Sequence, residues 1–135
     1  MAGGKFVFAN GQRPLILVVD DLPENLATLA EMVQREGADV RVANSGAVAL
    51  RYAQLEPRPD LILLDIMMPE MDGHAVLAAL GKDERTRHIP VIFVTALGDQ
   101  IDEQRGLNEG AVDYITKPIK NAVLIARVRA QLELK

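Results

Sequence analysis

The sequence predicts an α/β domain built on a five-stranded parallel sheet, doubly wound, with helices on both faces. Three observations carry that expectation. Fully apolar runs recur at residues 15–19, 61–64 and 91–94. They are too short for helices and too apolar for half-exposed strands, so they read as strands buried on both faces. Stretches with helical spacing separate them, which means parallel pairing through right-handed crossovers. The runs also end on residues with chemistry: Asp20-Asp21, Asp65 and Thr95. In an open α/β sheet, ligands bind at the carboxyl ends of the strands.

The elements follow in order. Residues 1–14 read as an N-terminal tail ahead of one domain at 15–134. Asn10-Gly11 is a turn signal and Pro14 blocks pairing before the first strand. Residues 5–9 have the composition of a short extra strand but are not assigned one. The first strand is 15–19. Pro23 suits the first turn of a helix, Glu24 favours its positive end, and Gly37 ends it. Leu26, Leu29, Ala30 and Val33 make that helix's inner face. Residues 39–43 alternate as an edge strand should, with Val40 and Val42 on one side. Asn44-Ser45 can cap a second helix with the stripe Gly46, Ala49, Leu50, Ala53.

The third strand is 61–64, with Asp65 at its carboxyl end, and Pro69 and Gly73 force a loop after it. A third helix at 74–80 turns Val76, Leu77 and Leu80 inward, and 82–88 is a charged loop. The fourth strand is 90–95. A weak helix at 100–109 has few apolar anchors and carries Gly106 in its interior, at a cost of about 1 kcal/mol against alanine. A short fifth strand at 111–116 carries Tyr114, and a last helix at 121–134 stacks Leu124, Val128 and Leu132. The natural result is the flavodoxin-like strand order 2-1-3-4-5.

Composition excludes several functions. The 135 residues are 49% apolar and 25% charged, ordinary for a soluble domain. A net charge of -4 with no basic run argues against non-specific nucleic-acid binding. There is no cysteine, hence no disulfide or thiol chemistry, which suits the cytoplasm. No apolar run has membrane-spanning length, and residues 1–14 lack a signal-peptide core. His74 and His88 lack metal-ligand spacing and read as surface residues.

The expected strand order gathers Asp20, Asp21, Asp65, Thr95 and Lys117 on one sheet edge. Three carboxylates packed together repel unless a cation joins them. A hard divalent ion such as Mg2+ needs only one or two carboxylates and takes phosphate oxygens besides. Asp21 and Asp65 are the candidate ligands, with Asp20 near. Lys117 adds a second positive charge and Thr95 a hydroxyl donor. Two cations and a donor around one carboxylate suit phosphoryl transfer, which asks for positioning and charge stabilisation. Asp65 is the candidate nucleophile for an aspartyl-phosphate.

These residues carry a resemblance. Asp20-Asp21, Asp65 followed by Met68-Pro69 and Met71-Asp72-Gly73, Thr95-Ala96 and Lys117-Pro118 resemble, in order and spacing, the receiver domain of two-component response regulators. The resemblance covers nearly the whole chain, from about residue 15 to 134. It implies that Asp65 accepts a phosphoryl group from a histidine kinase or phosphotransfer protein. It implies Mg2+ held by Asp21, Asp65 and the backbone carbonyl of Met67 beside Asp20, with Lys117 pairing with the phosphate next to a cis bond to Pro118. Thr95 and Tyr114 match the family's switch pair. Met67 and Leu97 stand two residues after the acceptor and the switch threonine, positions that flank the path of hydrolytic water. Both are apolar, which implies a long-lived phosphorylated form.

The resemblance further implies a cytoplasmic protein that is no enzyme beyond catalysing its own phosphorylation and dephosphorylation. Its fourth helix, fifth strand and fifth helix would face an output domain or partner protein, or a second copy in a homodimer, with no direct nucleic-acid or membrane contact. The final ten residues resemble those of receivers fused to cyclic-di-GMP enzymes or hybrid kinases, which points to a domain cut from a longer protein as the alternative to a stand-alone regulator. Competing readings fit less well. A non-phosphorylated pseudo-receiver usually lacks part of the acid and lysine set, which is complete here. A haloacid-dehalogenase-like phosphatase wants a second aspartate where Met67 stands. A nucleotide or flavin carrier wants a glycine-rich phosphate loop, and none follows Asp20.

Overall fold

The structure is a computed structural model that describes residues 6, 8, 10–96 and 100–134. Five strands and five helices alternate: β1 (Leu15–Val19), α1 (Pro23–Arg35), β2 (Asp39–Ala43), α2 (Gly46–Gln54), β3 (Leu61–Asp65), α3 (Gly73–Lys82), β4 (Val91–Ala96), α4 (Gln100–Asn108), β5 (Asp113–Lys117) and α5 (Asn121–Glu133). The strands form one parallel sheet in the order β2-β1-β3-β4-β5, as the sequence predicts.

The apolar runs are explained by what lies on each face. Alternate residues of the central strands enter two separate cores. Leu17, Ile62, Leu64 and Phe93 pack with Ala49, Ala53, Val76 and Leu80 from α2 and α3. Ile16, Val18, Leu63 and Val94 pack with Leu29, Val33, Leu124 and Val128 from α1 and α5. Each fully buried Val, Leu, Ile or Phe contributes roughly 1.5–3 kcal/mol, so a strand serving both cores carries no polar position until its end. The edge strand β2 buries only Ala43 fully, and Val42 is exposed.

Local signals set the helix starts. Pro23 opens α1; the Ser45 hydroxyl accepts the Val48 N–H at 3.2 Å; the Asp72 carboxylate accepts the Ala75 N–H at 2.9 Å. Arg41 of β2 donates to the carbonyls of Tyr52, Leu55 and Pro57 at 2.7, 3.3 and 3.1 Å, closing the exposed end of α2.

Three expectations shift. The fifth strand begins at Asp113 rather than at Ala111, because Ala111 is a buried loop residue whose N–H bonds to Gly106 O at 2.9 Å. Within the segment read as a tail, Phe6 is 1% exposed in the α1/α5 core, and its N–H bonds to Glu36 O at 2.8 Å. Residues 5, 7 and 9 of the possible extra strand lie outside the described residues. His74, expected at the surface, is 2% exposed. It stands three residues before Leu77 on the inner face of α3, where its ring meets Phe93 edge-on, with centroids 5.2 Å apart. His88 is exposed, as expected.

The glycine inside α4 has a packing reason. A Cβ on Gly106 would lie 2.4 Å from the Phe93 ring, so α4 rests its backbone directly on β4.

Candidate functional site

The register of the sheet brings the strand ends level. Val19 pairs with Leu64, Asp65 with Val94, Thr95 with Thr116 and Ala96 with Lys117. Asp20 therefore emerges beside Asp65. One carboxylate oxygen from each of Asp20, Asp21 and Asp65 lies within 4.8 Å of the others. Lys117 Nζ bridges two of them, 3.3 Å from Asp65 Oδ1 and 3.4 Å from Asp20 Oδ2. Asp20 is held from behind by the Leu22 N–H, 3.0 Å from Oδ1.

Asp20 and Asp65 are buried, at 2% and 4% exposure. Burial, and then the Asp20 carboxylate, push the carboxyl of Asp65 up to about 6; Lys117 works in the opposite direction and does not cancel them. This donor set fits a hard divalent cation: it is all oxygen, it is compact, and its excess negative charge is what such an ion neutralises. Asp20, Asp21 and Asp65 are the residues placed to hold one.

The loop after Asp65 is tightly determined. Gly73 N–H bonds to Ile66 O at 2.8 Å, and a Cβ on Gly73 would lie 2.7 Å from Asp65 O and 2.8 Å from Ile66 Cα. Helix α3 can begin here only because residue 73 has no side chain. Between them, Met71 N–H bonds to Pro69 O at 2.7 Å across Glu70, whose φ is 67°. That is a γ-turn with a left-handed central residue, the strained form of the turn. The Met-Asp-Gly motif is thus a helix cap followed by a forced close approach. The Lys117–Pro118 bond is cis, as the resemblance implies, and Glu56–Pro57 is cis as well.

Thr95 is buried at the end of β4, one residue past the partner of Asp65. Tyr114, half-buried, lies opposite Phe93 on β5. The Arg127 guanidinium of α5 sits 5.8 Å from its ring centre and bonds to both oxygens of Asp113, at 3.1 and 2.9 Å. Met67, two residues after Asp65, is 68% exposed. Leu97, the other expected control on hydrolysis, lies outside the described residues.

Two polar groupings escape the sequence reading. One is Arg127 with Asp113 and Tyr114. The other is His74, whose Nδ1 lies 3.0 Å from Glu109 Oε1. Only the i, i+3 spacing of His74 and Leu77 could have signalled that His74 is internal; its partner is 35 residues away.

Residues 16–129 match the response regulator receiver domain family. The chain belongs to that family. It is 46% identical over 120 residues, 89% of its length, to the response regulator PleD of Caulobacter vibrioides, and 42% identical over 120 residues, again 89%, to a probable cyclic di-GMP phosphodiesterase of Vibrio cholerae. It spans about a quarter of the length of each, 26% and 27%. The receiver domain of the sensor histidine kinase PA1611 from Pseudomonas aeruginosa, solved with a magnesium ion coordinated in its active-site cleft, superposes with a TM-score of 0.82. The two are 31% identical, covering 90% of this chain and 99% of that one. Receiver domains generally are not enzymes; phosphorylation and Mg2+ binding are general among them, and response regulators receive signals from kinases and act on output domains. No helix among the described residues of this receiver domain is long and apolar enough to cross a membrane.

Proposed function

We propose that this receiver domain accepts a phosphoryl group on Asp65 from the phosphohistidine of a kinase or phosphotransfer protein. The observation that carries the reading is the buried Asp65 carboxylate set between an acidic cluster and the Lys117 ammonium, 3.3 Å away. A carboxylate oxygen of Asp65 attacks phosphorus, the phosphorus–nitrogen bond to the donor imidazole breaks, and the nitrogen keeps the bonding pair. Mg2+, held by Asp20, Asp21 and Asp65 with the carbonyl of Met67, would supply charge neutralisation at the phosphoryl oxygens. Lys117 is placed to leave Asp65 and pair with the new phosphate, and Thr95 supplies a hydroxyl donor on the neighbouring strand. A cleft of about 330 Å³ between α1 and the β5–α5 connection reaches Asp20 and Lys117, with Asn25, Met32 and Ile119 on its walls. It supports approach of the donor protein from that side.

Phosphate on Asp65 adds charge and acceptor oxygens at one point. Thr95 moves toward it, Tyr114 takes up the space, and the face formed by α4, β5 and α5 changes for an output domain, a partner protein or a second copy. The exposed, apolar Met67 cannot orient a hydrolytic water, so the phosphorylated form persists; Leu97 acts the same way from the other side.

The test is exposure of the purified protein to a small phosphodonor with Mg2+. Stoichiometric, base-labile labelling that disappears in Asp65→Asn and in excess chelator is expected. Absence of labelling in the native protein would make this a non-phosphorylated interaction module.

A further inference from the structure

We propose that His74 and Glu109 form a latch that links the state of Asp65 to the C-terminal end of α4, by a route separate from Thr95 and Tyr114. The proposal rests on the reading of Asp65 as phosphoacceptor. Its first link is the close approach at Gly73, whose position against Asp65 O and Ile66 Cα makes the start of α3 an extension of the acceptor's own backbone. A shift of that backbone moves residue 73, and His74 with it.

The second link is the His74 ring. It is buried, edge-on to Phe93, and its Nδ1 donates to Glu109 Oε1 at 3.0 Å. Glu109 belongs mechanically to α4. Its N–H bonds to Arg105 O and Gly106 O at 2.9 and 3.2 Å, and its Oε1 also accepts from Arg105 Nε at 2.9 Å. The third link is the seat of Gly106 on Phe93, the same ring that His74 touches. Imidazole, phenyl ring and helix end therefore form one contiguous contact, two residues removed from the loop that closes on Asp65.

The polar nature of the link suits switching. Hydrogen bonds weaken steeply with distance and angle, so a sub-ångström displacement of His74 changes this contact far more than it changes an apolar one. Over residues 104–108 of α4, Gly106 alone is buried, so that stretch offers no large apolar anchor to mask the loss. The bond is made in the structure described here, and phosphoryl addition at Asp65 weakens it. By linkage, breaking the bond must then favour phosphoryl binding. His74 is a positioning residue in this scheme; it touches neither the phosphoryl group nor the metal.

The experiment uses the purified chain as His74→Phe, Glu109→Ala and the double variant, with urea unfolding as a fold control. Each single variant should speed amide exchange in the last turn of α4 by about tenfold, the size expected of one hydrogen bond to a charged group. The double variant should match Glu109→Ala, the larger of the two because that change also removes the ion pair with Arg105. Beryllium fluoride with Mg2+, a mimic of the bound phosphoryl group, should bind each variant a few-fold more tightly than the native protein. Unchanged exchange, or a double variant equal to the product of the singles, would overturn the latch. Faster exchange with unchanged mimic affinity would overturn its link to Asp65. A native protein that binds no mimic at Asp65 would instead overturn the acceptor reading, and the route with it, whatever the exchange data show.

Discussion

Helices α3 and α4 leave neighbouring strands at the same edge of the sheet, yet they are held in opposite ways. Helix α3 buries Gly73, His74, Val76, Leu77 and Leu80, is capped by Asp72, and starts against the backbone of Asp65. Helix α4 buries Gly106 alone among its described side chains and is tied at its end through Glu109. One side of the site holds a carboxylate in place; the other, over residues 104–108, packs no large side chain into the core. The proposed function puts two demands on one sheet edge: precision where phosphoryl transfer would occur, and low resistance where the signal would leave.

The comparison breaks most sharply at Gly73. A methyl group there meets backbone atoms of Asp65 and Ile66, which cannot swing aside as a side chain can. Gly73→Ala should destabilise the protein by about 3 kcal/mol, at the upper end for overpacking, with loss of labelling on Asp65, as read by urea unfolding and phosphodonor assay. A smaller cost would mean that the fixed side is softer than its geometry.

Next comes the charge that the fixed side holds in place. The Asp65 carboxyl is raised from 3.8 to about 6. Between those values the unfolded chain releases a proton that the folded chain keeps, so this group lowers stability as pH rises from 4 to 6 and keeps it lowered above. At about 1.4 kcal/mol per unit the penalty is at most about 3 kcal/mol, and Asp65→Asn, which also deprives Lys117 of a partner, should recover about 2 kcal/mol. The gain should be absent below pH 4 and complete above pH 6. Thermal unfolding without Mg2+ across that range measures it; an equal gain at every pH would disprove the electrostatic origin.

At the outer lip of the same side, Met67→Asn should shorten the phosphorylated lifetime about tenfold, equivalent to about 1.4 kcal/mol, with little change in stability. Decay of phosphoprotein after donor removal, with Mg2+ present, is the measurement. The smallest effect belongs to Gly81, near the end of α3, where an added Cβ meets nothing within 4 Å. Gly81→Ala should stabilise by about 0.5–1 kcal/mol through helix propensity alone.

The parts legible in the sequence were those encoded locally. An apolar run ending in aspartate announces both a two-faced strand and a residue at its carboxyl end, so β1, β3 and the Asp20, Asp21, Asp65 cluster follow from a few residues each. β5 was blurred because only Ile115 of its five residues is buried, leaving no continuous run to mark where it starts. His74 was misplaced because one polar residue on an inner face looks like a surface residue until its distant partner is known. The pairing of Arg127 with Asp113 and Tyr114 joins α5 to β5 and has no local mark.

The seat of Gly106 on Phe93 has a consequence for engineering. Scored by helix propensity alone, α4 invites replacement of its internal glycine, since alanine gains about 1 kcal/mol in a free helix. Here the new methyl would strike an aromatic ring 2.4 Å away. The weakness of α4 is therefore imposed by the strand beneath it, and surface redesign cannot remove it. A variant seeking a stiffer, permanently silent receiver would have to trim the ring and fill the helix together, pairing Phe93→Leu with Gly106→Ala. Neither change alone would be a step toward that end.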